Sequence, residues 1–440
     1  MMRFGCHVPF VLLLGVLAGI IPQLRAEDPQ VRARALWDLL AAEKYTEFVA
    51  AGDETMQTDF GADQAQQVWT LIISQLGKYQ GVVSTSSIKK DADDVVIFIC
   101  AFERGSATFR VVLNAEGQLS GLWFDKAEPN VNYEPPSYVD VKSFREEDVT
   151  IKCGEYELPG KLCLPLEGEK HPALVLVHGS GPQDEDETIG PNKPFRDLAW
   201  GLASRGIVVL RYQKRTQKYG KDIKPEQYNL EWETIDDAVA AAALLHERPE
   251  ADARRVFVLG HSLGGMAAPF VAERDPQLAG VILFAANARS VLDLVADQVE
   301  YLARVDGTLT DEEKTQIEEL KHELDAVRDG RADQVEKPIL GAPARYWADL
   351  HGRDQVAAAL RIKCPILLIQ GGRDYQVTRK DYDLWKSKLA GRENVAIRHY
   401  DGLNHLMIFG TGPSTPQEYQ ITAHVDQAVV EDIATWIMKH

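Results

Sequence analysis

A chain of 440 residues, 45% hydrophobic and 26% charged, has ordinary globular composition and enough length for two domains with a sizeable core. Its formal net charge is −18, and its basic residues cluster only at Lys214, Arg215 and Lys218, which makes nucleic acid and anionic membrane surfaces poor partners. The sequence carries no internal repeat and no low-complexity tract.

At the N-terminus Arg3 precedes an apolar run over residues 8–21, and Leu24-Arg25-Ala26 can close a secretory signal peptide. Residues 1–26 are therefore expected to be removed on export to the periplasm or medium. The run is short for a membrane span, so no stable insertion is expected after cleavage. Leu24 is not the small residue usual three positions before a cut, which leaves an uncleaved anchor as the alternative. No cysteine follows the run, which argues against a lipoprotein. Export leaves Cys100, Cys153, Cys163 and Cys364 in an oxidising compartment, and their spacing matches no metal motif. Cys153 and Cys163 flank an expected hairpin and leave a disulfide open, although a chain of this size does not need one.

Residues 31–76 show helical periodicity, with Leu36, Leu39, Leu40 and Phe48 in one stretch and Val68, Trp69, Ile72, Ile73 and Leu76 in the next. Strands are predicted at 95–102, 107–113 and 119–124, forming an antiparallel meander. Residues 27–127 thus form a small α+β domain without clustered catalytic residue types, read as a packing or substrate-positioning module. Residues 128–138, with Pro129, Pro135 and Pro136, read as a stiff linker to a second domain over 139–440.

That domain opens with a hairpin over 149–164. An apolar strand at 173–177 then runs into His178-Gly179-Ser180-Gly181. Helix 195–204, strand 207–212, helix 234–246, strand 256–259 and strand 281–285 follow, an alternation that predicts a mostly parallel sheet covered on both faces. It pauses at about 290–360 for a helical insertion. There Thr310 to Glu313 form a capping box, and Ile317, Leu320, Leu324 and Val327 share one helix face. Inserted between sheet strands, this cap is expected over the carboxyl ends of the sheet, where ligands bind. Strands at 366–370 and 395–400 and a helix over 425–438 complete the domain.

The chemistry centres on Gly260-His261-Ser262-Leu263-Gly264, a G-x-S-x-G turn between an apolar strand and a helix. Such a turn exposes its serine in a strained backbone, and side chains at 260 or 264 would crowd the neighbouring strand and helix. Ser262 is the candidate nucleophile. A serine hydroxyl is weak at neutral pH and requires a base, which an acid holds in the right tautomer. On a turn of this kind they follow in the order acid, then histidine. Asp374 lies on the loop after strand 366–370 and His405 on the loop after strand 395–400. The rival acids Asp293, Asp349 and Asp381, and the rival bases His178, His261, His399 and His424, lack either the strand-end position or the order. Two backbone N–H groups complete the set by receiving the charge that develops on a carbonyl oxygen. Ser180 and Leu263 are the expected oxyanion donors, with Gly181 as the alternative to Ser180. His178 is read as a packing histidine. Asp184-Glu185-Asp186-Glu187 has no His or Cys beside it and reads as a solvated loop, so no metal site is assigned. Tyr346, Trp347 and Leu350 read as core of the cap. Arg211-Tyr212-Gln213-Lys214-Arg215 receives no role beyond loop structure.

H-G-S-G-P-Q-D-E-D-E-T-I-G-P-N-K-P-F from His178, G-H-S-L-G-G from Gly260, Y-W-A-D-L from Tyr346, Q-G-G-R-D-Y-Q-V from Gln370 and G-L-N-H from Gly402 carry a resemblance to a known family. Over most of its length the chain resembles secreted bacterial α/β-hydrolases of the esterase type that carry an N-terminal domain of unknown function. The resemblance implies hydrolysis of small-molecule carboxylic esters through Ser262, Asp374 and His405, without a cofactor. It also implies a cystatin-like fold for the first domain. A serine peptidase would use the same parts on an amide, and a non-catalytic binding protein would need only the scaffold. Gln213 departs from the family's R-Y-D-K-R, which puts in doubt any salt bridge from that loop. Oligomeric state is not specified by these features.

Overall fold

The computed structural model describes residues 28–90, 93–103, 105–124, 133–220, 223–305 and 307–440, and the chain divides into two compact units between residues 131 and 132. The expected signal peptide lies outside the described residues, as does the first half of the expected linker.

In the first unit, helices α1 (Pro29–Ala41), α2 (Tyr45–Ala50), α3 (Glu54–Asp59) and α4 (Ala62–Leu76) precede an antiparallel meander. Its strands are β1 (Tyr79–Lys90), β2 (Asp93–Phe102), β3 (Gly105–Leu113) and β4 (Leu119–Phe124). Asp28 caps α1 at the Gln30 N–H and Asp53 caps α3 at the Met56 N–H. Trp37, Phe48 and Trp69 from the helices bury against Phe98 and Phe109 of the sheet. Strand β1 has no counterpart among the expected elements. It is an edge strand whose side chains from 83 to 90 are exposed, so selection for burial imposes no apolar alternation on it.

The rest of the expected linker belongs to the second unit. Tyr133 donates its hydroxyl to Asp197 at 2.7 Å and Tyr138 donates to the carbonyl of Val425 at 2.8 Å. The prolines mark the stretch as a stiff linker, and two tyrosines fasten its second half to the second unit.

The second unit runs β5 (Phe144–Cys153), β6 (Tyr156–Pro165), β7 (His171–Val177), α5 (Pro194–Ala203), β8 (Val208–Tyr212), α6 (Arg215–Tyr219), α7 (Asp236–Glu247), β9 (Ala251–His261), α8 (Leu263–Arg274) and β10 (Gly280–Phe284). The cap helices α9 (Val291–Arg304), α10 (Asp311–Arg328), α11 (Ala344–His351) and α12 (Gln355–Arg361) follow, then β11 (Ile366–Gly371), α13 (Arg379–Leu389), β12 (Val395–Tyr400) and α14 (Gln427–Lys439). The eight strands are ordered β12-β11-β10-β9-β7-β8-β6-β5, parallel from β12 to β8 and antiparallel beyond. Every residue of β7, β8, β10 and β11 is buried, as a sheet covered on both faces requires. One face packs on α7, α8 and the cap, the other on α5 and α14.

Two points left open by the sequence are settled on this framework. In the β5–β6 hairpin Cys153 opposes Tyr156 and Cys163 opposes Glu146, so the two thiols sit at opposite ends of the register and are free. The capping box of α10 forms, with the Thr310 N–H donating to Glu313 at 2.8 Å. On its apolar face Leu324 and Val327 join Val295 of α9 and Tyr346 and Leu350 of α11 in the core, so this face holds the cap together. Tyr346, Trp347 and Leu350 are buried, as core residues are.

Candidate active site

Strand β9 ends at His261 and α8 starts at Leu263, leaving Ser262 alone at the turn with φ 53° and ψ −115°. A side chain in this left-handed region carries strain of about 1–3 kcal/mol, which the surroundings must hold in place. The Ser262 N–H donates to the carbonyl of Phe284 at 2.9 Å, and the two glycines admit no substitute. A Cβ at Gly260 would come within 2.0 Å of the Gly264 carbonyl oxygen, and one at Gly264 within 2.3 Å of the Val177 carbonyl oxygen. Both neighbours are backbone and cannot yield. Ser262 itself is partly exposed between buried neighbours.

Asp374 and His405 meet. His405 Nδ1 lies 2.7 Å from Asp374 Oδ2, with both residues buried. The carboxylate is satisfied all round: Oδ1 accepts the N–H groups of Gln376 and Val377 at 2.8 and 2.9 Å, and Oδ2 also accepts Gln370 Nε2 at 3.1 Å. Such a carboxylate holds the imidazole with Nε2 outward. Among the described residues His405 Nε2 has no hydrogen-bond partner, and neither has Ser262 Oγ. Asn404 shapes the histidine loop by accepting the N–H groups of Leu406 and Ile408 at 3.0 and 3.1 Å. The rivals are engaged elsewhere: Asp381 with Arg289, Asp293 with Arg328, Asp349 with Arg353, His399 with Asp401 and His424 with Asp197.

After β7 the chain passes through His178 and Gly179 to Ser180, which is exposed, and Gly181, at φ 80°. Gly179 lies against Ser262, since a Cβ there would be 3.3 Å from that of the serine. Among the described residues the N–H groups of Ser180 and Leu263 have no acceptor, the latter because it opens a helix. His178 is buried, packs on Phe195 and Tyr212, and donates from Nε2 to the carbonyl of Asp184 at 2.9 Å. Burial pushes its pKa down to about 4, so it stays neutral.

The acidic run read as a solvated loop turns two of its members, Asp186 and Glu187, into the interior, and the basic run given no role beyond loop structure is buried at Arg211, Lys214 and Arg215. Asp186 is buried and pairs with Arg211, Arg196 and Lys193 at 2.9, 2.6 and 3.1 Å. Burial works to raise its pKa, yet these three cations bring it below the ordinary carboxylate range. Glu187 is buried between the Gly179 N–H at 2.7 Å and His261 Nδ1 at 2.9 Å. The loop around Gln213 does carry salt bridges, from its neighbours: Arg211 also reaches Glu146 at 2.6 Å, Lys214 reaches Glu233 at 2.6 Å, and Arg215 pairs with Asp237. The carboxyl ends of β7 and β8 lie side by side, and there Arg211 of the basic run meets Asp186 of the acidic run. An acidic run after one buried strand and a basic run after the next is the signal that points to this pairing.

A cavity of about 730 Å³ opens beside the Asp374 loop, lined by Tyr301 and Arg304 of α9 and by Tyr375, Thr378, Lys380 and Pro413. It brings the cap next to the Asp374 loop; its lining stops short of Ser262 and His405. Among the described residues no group of three His, Cys, Asp or Glu side chains is arranged to hold a metal ion.

The family described as "Serine aminopeptidase, S33" matches residues 169–411, and one described as "Protein of unknown function (DUF3887)" matches residues 33–122. Esterase EstD of Thermotoga maritima is 41% identical over 402 residues, covering 91% of this chain and 93% of the relative. Among solved structures, a hyperthermophilic esterase of Pyrobaculum calidifontis is 20% identical, covering 67% of this chain and 85% of that one with a TM-score of 0.42. A puromycin-hydrolyzing peptidase of Mycobacterium tuberculosis is 16% identical, covering 80% of this chain and 47% of that one with a TM-score of 0.45. On its sheet, its inserted cap and its identity to EstD over nearly the whole length, the chain belongs to the α/β-hydrolase family that includes esterase EstD.

Proposed function

We propose that the protein hydrolyses carboxylic esters of small molecules through an acyl-enzyme on Ser262. The observation that carries this reading is the buried Asp374–His405 couple with an unoccupied Nε2, its histidine packed on His261, the residue that precedes Ser262 in the strained turn. In the first half-reaction His405 Nε2 takes the proton of Ser262 Oγ as Oγ bonds to the ester carbonyl carbon. The carbonyl oxygen becomes an oxyanion facing the N–H groups of Ser180 and Leu263, each such donor being worth about 3–4 kcal/mol. The tetrahedral species then expels the alkoxide, which leaves as the alcohol with the proton from His405. Water, deprotonated by the same nitrogen, attacks the acyl-serine, and the free acid and Ser262 hydroxyl are restored. Asp374 stays ionised throughout and fixes the imidazole tautomer.

The identity to an esterase favours an ester over an amide substrate, while the matched aminopeptidase family keeps the amide as the competing outcome. The apolar run at 8–21 followed by Leu24-Arg25-Ala26 supports export with cleavage after Ala26. One preparation tests all of this. Protein recovered from outside the cytoplasm should begin at Glu27, turn over a p-nitrophenyl acyl ester far faster than an aminoacyl-anilide, and carry a fluorophosphonate adduct on Ser262. Anilide preference would overturn the esterase reading, a folded protein without the adduct would overturn the acyl-enzyme, and an intact N-terminus would overturn cleavage.

A further inference from the structure

The stretch Arg211-Tyr212-Gln213-Lys214-Arg215 has no part in the reaction as described, yet one of its side chains reaches the oxyanion loop. Lys214 is 1% exposed. Its backbone N–H is tied to the carbonyl of Gln183 at 3.0 Å, and its Nζ donates to the carbonyl of Gly179 at 2.8 Å and to Glu233 Oε1 at 2.6 Å. The Gly179 carbonyl and the Ser180 N–H are the two ends of one peptide unit. In a trans peptide they point in opposite directions, so a cation fixed on the oxygen also fixes where the N–H points. A charge-assisted bond on the oxygen polarises the unit further and makes the N–H a stronger donor. From the other side Glu187 holds the Gly179 N–H, so both polar groups of this residue end on buried charges.

The chain of contacts continues into the cap. Glu233 Oε2 accepts the hydroxyl of Tyr346 on α11 at 2.5 Å, and Tyr228, whose ring stacks on Tyr346, reaches Oε1 at 3.4 Å. A buried ion pair is weak evidence for stability, because desolvation offsets most of the attraction. Its position on the oxyanion peptide asks for another account.

We propose that Lys214 is a positioning residue for oxyanion stabilisation: its ammonium orients and polarises the Gly179–Ser180 peptide, and Glu233 with Tyr346 ties that hold to the cap. The proposal rests on Ser180 N–H being an oxyanion donor.

The test measures kcat and KM for a p-nitrophenyl ester, per active site counted by fluorophosphonate titration taken to completion. Lys214→Met removes the cation. Because it strands Glu233 in the interior, Lys214→Met/Glu233→Gln is measured beside it, a variant that buries no unpaired charge. Expected for both is a fall in kcat of about 10- to 100-fold with KM within about threefold, less than the 10²–10³-fold typical of deleting a donor outright. A merely structural lysine would lower Tm and the titratable fraction but leave kcat per site unchanged. A kcat within about twofold of wild type in the folded double variant overturns the proposal. Ser180→Pro, which lacks the N–H itself, separates the two readings. If it keeps wild-type kcat, the oxyanion assignment falls and takes this proposal with it; if it loses kcat while the double variant does not, only the role of Lys214 falls.

Discussion

His405 and His261 lie with their rings 4.6 Å apart, each with a carboxylate on Nδ1: Asp374 at 2.7 Å for the first, Glu187 at 2.9 Å for the second. The far nitrogens differ. His261 Nε2 lies 3.1 Å from the carbonyl of His405, whereas His405 Nε2 has no partner among the described residues. With acceptors at both nitrogens, His261 is satisfied only as an imidazolium. Burial works to lower its pKa, but the facing Glu187 outweighs burial and raises it. Glu187 responds in kind: burial works to raise its pKa, and His261 brings it below the ordinary range. A carboxylate on Nδ1 therefore does not make a histidine a general base. A base also needs an open Nε2, which His261 lacks; its occupied ring serves to pin the loop that carries His405.

The largest effect separates these two rings directly. His405→Ala should lower kcat by about 10⁴-fold or more without unfolding the protein, while His261→Gln should retain far more activity. Equal losses in two folded variants would erase the distinction drawn between them.

A smaller effect comes from the partner of the pinning ring. Glu187→Gln should lower kcat by about tenfold and reduce stability in a pH-dependent way. Because the pKa of Glu187 is lowered on folding, its contribution is present above the ordinary Glu pKa and is lost as pH falls through the lowered value. Because that of His261 is raised, its contribution is full below the ordinary His pKa and is lost as pH rises through the raised value. The stability gap between wild type and Glu187→Gln, from denaturant melts across pH, should be widest between those limits. A gap that does not vary with pH would mean the pair is not ionic.

The smallest effect on turnover belongs to His178, which the same loop buries neutral. The unfolded chain takes up its proton below about pH 6.5 and the folded one only near the depressed pKa of about 4, so acid favours unfolding across that interval. The linkage is on the order of 3 kcal/mol. His178→Ala should flatten this acid slope and lower Tm, with kcat per titrated site reduced less than in Glu187→Gln. A loss of kcat comparable to that of His405→Ala in folded protein would reassign the base.

What was legible in the sequence is what depends on local pattern. The apolar run before Gly260, the glycines around Ser262 and the loops at the ends of β11 and β12 are statements about neighbours in the chain, and the fold places Asp374 on His405 as that pattern implied. The interior charges were not legible for the opposite reason. Asp186 and Glu187 stand far in sequence from Arg211 and His261, and Lys214 from Glu233, so the acidic run alone resembles a solvated loop and the basic run shows no role. The parallel pairing of β7 with β8 brings Arg211 to Asp186, while Lys214 finds Glu233 and Glu187 finds His261, and these pairs make burial tolerable. Strand β1 escaped because exposed edges carry no apolar period. The fastened stretch at 133–138 escaped because proline stiffness says nothing about where Tyr133 and Tyr138 find acceptors.

The backbone at Ser262 has a consequence for what the sequence can become. At φ 53° glycine would be at ease where serine is strained, so the change that abolishes the hydroxyl also relaxes the dihedral. Stability and activity pull in opposite directions at this position, and they do so within a single residue. A lineage selected only to stay folded would drift to glycine at 262; serine there records a selection pressure that stability alone does not supply.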